Sequence, residues 1–112
     1  MSVDRLNKET FGELQALMGE AMADFLDTFM DNSPQLIHKM EAALTSGDTE
    51  SLFHGAHQLK GGSGSIGATQ LADLCLQIEQ LGQAGSMQGV TDLLKQLNAE
   101  YEQLVVVLKT YL

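Results

Sequence analysis

The chain has 112 residues, 44% of them apolar, and carries 15 acidic against 6 basic side chains for a net charge of −9 with histidines neutral. A chain of that size buries roughly two-thirds of its unfolded surface, so a single folded domain with its own core is expected and disorder is excluded. The negative charge repels phosphate backbones, and four phenylalanines and two tyrosines without a tryptophan leave little stacking surface, which excludes nucleic acid as a partner.

At the N-terminus, Asp4, Arg5, Lys8, Glu9 and Glu13 interrupt the stretch where a secretory signal needs its apolar run. From there on apolar residues recur at threes and fours, an all-helical pattern. Leu14, Met18, Ala21, Phe25 and Phe29 share one face, with Met22, Leu26 and Met30 beside them. The spacing predicts one or two helices between about Thr10 and Asn32, divided at Gly12 or Gly19. Ser33 before Pro34, the only proline, reads as an N-cap with proline in the first helical position. The short helix it opens carries Leu36, Ile37, Met40, Ala43 and Leu44 and ends near Gly47. Asp48 caps the next helix, whose inward positions are Leu52, Ala56, Leu59, Ser63 and Ile66, with Gly67 as its stop. A further helix carries Leu71, Leu74, Ile78 and Leu81 and ends at Gly82. Cys75, flanked by Leu74 and Leu76, reads as a core thiol; as the only cysteine it offers neither an intramolecular disulfide nor a multi-cysteine metal set, which suits a reducing cytosol.

After a turn from Gln83 to Ser86 comes the longest periodic run: Val90, Leu94, Leu97, Tyr101, Leu104, Leu108 and Tyr111. Its uninterrupted apolar segment, Leu104 to Leu108, falls far short of the ~20 residues a membrane helix needs. The methionines Met18, Met22, Met30 and Met40 read as core filler. Together these elements predict an all-α protein, an antiparallel four-helix bundle with one or two additional N-terminal helices, in one domain over residues 1–112. Met1 and the lack of a linker at either end favour a free-standing protein, and the lone cysteine and absent export signal a cytoplasmic one.

One segment breaks the helical economy. Gly61, Gly62 and Gly64 lie inside an apolar-periodic stretch, and at roughly 0.8–1 kcal/mol each relative to alanine they give up ~2–3 kcal/mol of helix stability. Either the segment is a glycine loop, or it is a helix whose outer surface stays bare so that another molecule can approach. Gly62 to Gly67 does match G-x-G-x-x-G, but a dinucleotide site needs a preceding strand in a parallel sheet, and the preceding run has helical period. Lys60 precedes the glycines, which also argues against a Walker A loop.

In the helical reading His57, Lys60, Gly61 and Gly64 align one residue off the core stripe, on the solvent side. Lys60 leans back toward the imidazole of His57. A neutral imidazole keeps a lone pair that can attack phosphorus, and an adjacent ammonium offsets the charge of the group it takes up. Phe53, one turn earlier, is either part of a docking patch with Gly61 and Gly64 or a partly buried aromatic. A metal site is not indicated: bundle sites use Glu-x-x-His, and none of His38, His54 and His57 has an acid three residues before it.

The residues His57, Leu59, Lys60, Gly61, Ser63 and Gly67 fit H-x-L-K-G-x-S-x-x-x-G without a gap or mismatch, and on them the chain resembles the histidine-containing phosphotransfer (HPt) domains. The resemblance extends over the following helix to Gly82 and, as a bundle of the right length, more loosely over the whole chain. It implies that His57 is phosphorylated and exchanges its phosphoryl group with an aspartate of a response-regulator receiver domain. It implies further that Lys60 stands near the phosphate, that Gly61 keeps the histidine accessible, and that Ser63 is a small inward residue. Family members often hold the other imidazole nitrogen with a glutamine or glutamate on the following helix. Glu79 has the matching spacing, although a glutamate beside the core position Ile78 is otherwise simply solvated.

The resemblance also assigns Mg²⁺ and an acidic pocket to the receiver, leaving this chain with no cofactor and no metal. It would be a monomeric phosphocarrier rather than an autonomous enzyme, partnered by a receiver domain and a sensor or hybrid histidine kinase. The competing reading is a helical interaction bundle that binds its partner without carrying phosphate; it explains the glycine face but leaves the pairing of His57 with Lys60 to chance.

Overall fold

The computed structural model describes residues 5–112; Met1 and Asp4 lie outside them. The first helix, α1 (Lys8–Met18), opens on Asn7, whose side-chain oxygen accepts the Thr10 N–H at 3.0 Å. It closes at Gly19, whose φ of +54° favours glycine, and a single 3-10 turn (Gly19–Ala21) leads into α2 (Met22–Ser46). The division therefore falls at Gly19, while Gly12 lies within α1. The turn also resets the helical phase. Phe11 is the buried residue of α1 and Met22, Leu26 and Phe29 begin the buried row of α2, whereas Ala21 is exposed and Leu14, Met18 and Phe25 are half-buried. The single face expected from Leu14 to Phe29 does not exist.

Ser33 and Pro34 do not start a helix either. α2 runs through them for 25 residues, because its buried row Met22, Leu26, Phe29, Ser33, Ile37, Met40 and Ala43 continues across the proline. Pro34 has no N–H, which leaves the Met30 carbonyl without its usual helical donor. Tyr101 supplies one instead, its hydroxyl donating to Met30 O at 3.2 Å, while the buried Ser33 hydroxyl donates to Phe29 O at 2.5 Å. Burial pushes the ionisation of the Tyr101 phenol up, so it stays a donor. Tyr101→Phe is expected to lower stability by about 1 kcal/mol, the usual net worth of one hydrogen bond. An unchanged urea midpoint would show that the phenol contributes nothing at this proline.

Two links of two residues and one of six then fold the chain back on itself. α2 stops at Gly47 (φ +72°), and Asp48 caps α3 (Thr49–Ile66) by accepting the Ser51 N–H at 3.0 Å; the Ser51 hydrogen bonds hold its carboxyl below the usual carboxylate range. α3 stops at Gly67 (φ +83°), followed by α4 (Thr69–Gln83) and α5 (Val90–Lys109). The core is built from Leu52, Ala56, Leu59 and Ile66 of α3, Leu71, Cys75 and Ile78 of α4, and Val90, Leu94, Leu97, Leu104 and Leu108 of α5. In α4 the buried row passes through Cys75 and Gly82, leaving Leu74 and Leu81 half-buried; Gly82 is helical and buried, and the helix ends one residue beyond it at Gln83. Cys75 is fully buried, and burial pushes its thiol up to about 12.

The N-terminal segment is tied across the bundle. The Asn7 N–H donates to Gly67 O at 2.7 Å, and the Arg5 guanidinium lies 3.3 Å from Glu100, whose carboxyl is raised by burial despite that neighbour. Tyr111, beyond the end of α5, packs its ring 4.6 Å from that of Phe11. Among the described residues there is no strand, and no helix is long and apolar enough to cross a membrane.

Candidate functional site

α3 stays helical through all of its glycines, which removes the glycine-loop reading and with it the dinucleotide motif. A Cβ built on Gly61 or Gly64 would meet nothing within 4 Å, so both face open space. Gly62 is different, since its Cβ would lie 3.2 Å from the Phe29 ring of α2. Clearance and packing thus divide the three glycines between them. Because a methyl group at Gly61 enters open space on a helical backbone, Gly61→Ala is expected to raise stability by up to ~1 kcal/mol. A fall in the thermal midpoint of that variant would contradict the clearance argument.

On the same face stands His57, whose side chain is 59% exposed. Its Nδ1 contacts Glu79 Oε1 on α4, and the other carboxylate oxygen, Oε2, accepts from Lys60 Nζ at 2.5 Å. Glu79 is therefore far from simply solvated: its side chain is 8% exposed and serves two partners on the neighbouring helix. Burial pushes the Glu79 carboxyl up, but the hydrogen bonds and charges of Lys60 and His57 outweigh it and hold the group below the usual carboxylate range. An ionised Glu79 requires the proton on Nδ1, which leaves the lone pair on Nε2. The structure also gives Lys60 a partner the spacing alone did not: its ammonium is committed to Glu79.

Phe53 is half-buried and lies parallel to the imidazole, with ring centroids 5.8 Å apart and planes 11° from coplanar. Ser63 is the expected small inward residue, fully buried with its hydroxyl donating to Leu59 O at 2.7 Å. His54 is exposed, 3.8 Å from Glu50, and His38 is exposed, 3.3 Å from Glu41. Among the described residues no three His, Cys, Asp or Glu side chains are grouped so as to hold a metal ion. Two features escaped the sequence reading: the shared use of Glu79 by Lys60 and His57, and the position of Gly82. The signal for the second was present, a glycine inside an uninterrupted apolar period on the same face as Cys75.

An exposed histidine held by a buried carboxylate thus stands on a face of the helical bundle that Gly61 and Gly64 leave clear. The model of the Hpt domain family matches residues 24–106. Histidine-containing phosphotransfer protein 2 of Arabidopsis thaliana is 34% identical over 103 residues, covering 86% of this chain and 66% of that protein. Histidine-containing phosphotransfer protein 5 of the same plant is 31% identical over 101 residues, covering 84% and 64%. The chain thus spans just under two thirds of the length of these two relatives. The crystal structure of histidine-containing phosphotransfer protein B (HptB) from Pseudomonas aeruginosa PAO1 superimposes with a TM-score of 0.93 at 32% identity, covering 98% of this chain and 96% of that one. The chain belongs to the Hpt domain family.

Proposed function

We propose that this protein is a phosphocarrier of a phosphorelay, taking a phosphoryl group onto His57 from an aspartyl phosphate of a receiver domain and returning it to such an aspartate. The observation that carries this reading is the contact of His57 Nδ1 with the buried Glu79 carboxylate, which directs the lone pair to Nε2 on a face cleared by Gly61 and Gly64. In the forward step the Nε2–P bond forms as the acyl phosphate P–O bond breaks, and the aspartate leaves as carboxylate. The imidazole ring gains positive charge as it bonds to phosphorus, and Glu79 offsets that charge through Nδ1–H. Phosphoryl transfer depends mainly on positioning and charge, and here the ring is held by a carboxylate, an aromatic neighbour and a short helix spacing.

The chain itself needs no cofactor in this scheme, and the Mg²⁺ is the receiver's. It acts in the cytoplasm as a monomer, with a sensor or hybrid histidine kinase upstream and no kinase activity of its own. The test is incubation with a receiver domain carrying radiolabelled aspartyl phosphate. The expected result is an acid-labile, base-stable label on His57 that appears as the receiver loses its own. Stable binding of the receiver without transfer of label would instead establish an interaction bundle that carries no phosphate.

A further inference from the structure

We propose that Gly82, on α4, is a positioning residue for His57: its missing side chain sets the spacing of α3 and α4 at which Glu79 reaches the imidazole. The inference rests on the phosphocarrier reading for its consequence in transfer, but its geometric part stands on the contacts alone. A Cβ on Gly82 would lie 2.9 Å from Phe53 N, 3.0 Å from Thr49 O and 3.1 Å from Phe53 Cα. All three are main-chain atoms of α3, so no side-chain rotation relieves the clash and the two helices must part.

The tight glycines inside α3 behave differently. At Gly55 the nearest atom to an added Cβ is Met40 Cγ at 2.9 Å, part of a flexible side chain, and at Gly62 it is the Phe29 ring at 3.2 Å. Among the glycines within helices, Gly82 is the one whose Cβ would come closest to the backbone of another helix, and what it touches belongs to the site. Phe53, whose N and Cα it meets, is the residue whose ring lies parallel to His57. Glu79 is one turn before Gly82 on the same face of α4, and its short side chain spans to His57 Nδ1 and Lys60 Nζ at once. A carboxylate engaged at both oxygens has little slack, so a wider spacing at Gly82 lengthens one contact or the other.

The test uses the full chain with ¹⁵N-labelled histidine. In the parent, ring spectra are expected to show His57 mainly as the Nδ1–H tautomer. Gly82→Ala is expected to shift it toward Nε2–H, as is Glu79→Ala, and to slow transfer from a phosphorylated receiver by roughly tenfold, in the rate at saturation rather than in the half-saturating concentration. Gly55→Ala, on the opposite flank of α3, is expected to lower the thermal midpoint while leaving the His57 ring spectrum as in the parent. Where Gly82→Ala is poorly folded it is measured together with Gly12→Ala, whose methyl enters open space on α1.

A folded Gly82→Ala with the parent tautomer overturns the proposal, as does an equal shift in Gly55→Ala, or a chain that does not fold even with Gly12→Ala. In the Glu79→Ala background, Gly82→Ala should slow transfer no further; an additional loss would refute action through Glu79. A tautomer shift in a protein that never accepts phosphate would leave Gly82's positioning role standing and remove the phosphocarrier reading instead.

Discussion

His57→Gln is expected to abolish acceptance of phosphate from a phosphorylated receiver while leaving the protein folded and its stability within about 0.5 kcal/mol of the parent. The side chain is mostly exposed and lies off the buried row Leu52, Ala56, Leu59, Ser63 and Ile66, so its removal opens no cavity. Glutamine has an amide that can donate toward Glu79, and Glu79 keeps the Lys60 ammonium, so the buried carboxylate is not stranded. What glutamine lacks is a nucleophilic nitrogen lone pair, since the amide nitrogen's pair is delocalised into the carbonyl. Function and stability therefore separate in this variant. Label retained by His57→Gln, or found on His54 or His38 in the parent, would overturn the assignment, and a large drop in thermal midpoint would show that the imidazole is a structural group.

The elements legible in the sequence are those whose determinants lie within one or two helical turns. α3 is the clearest case: the Asp48 cap, the stop at Gly67 and the steps from Leu52 to Ile66 are local, and the structure keeps them all. His57, Lys60 and Gly61 share one such turn, so their alignment on a common face was legible as well. The limits appear where a distant residue decides. Pro34 looks like a helix start until Tyr101, 71 residues from Met30, supplies the donor that lets α2 continue. Similarly, whether Glu79 is solvated or buried against His57 depends on how closely α4 approaches α3, a distance no periodicity encodes. The exposed Ala21 has another cause, since the phase of a helix cannot be carried across a backbone break such as Gly19.

Lys60→Met is expected to destabilise the protein by about 1–3 kcal/mol at neutral pH, toward the lower end because the lysine side chain is 32% exposed and solvent screens part of the pair. The loss comes from Glu79, which stays buried but keeps only the His57 contact once the ammonium is gone. In the parent, the Glu79 carboxyl is held below its ordinary value, so its ionisation contributes stability that is present above the unfolded-state value and is lost as pH falls through the folded one. Without Lys60 the opposing effect of burial gains ground, so the carboxyl titrates at higher pH and contributes less. The gap between parent and variant should therefore be full at neutral pH and close at an acid pH below the lowered folded value of the parent, where the carboxyl is protonated in both. Urea unfolding at the two pH values measures it. A gap that does not change with pH would mean that Lys60 stabilises by packing its stem and not through Glu79. Phosphoryl transfer should slow in Lys60→Met without disappearing, since the nucleophile remains, and Lys60→Arg should recover part of both losses by restoring a cation to Glu79.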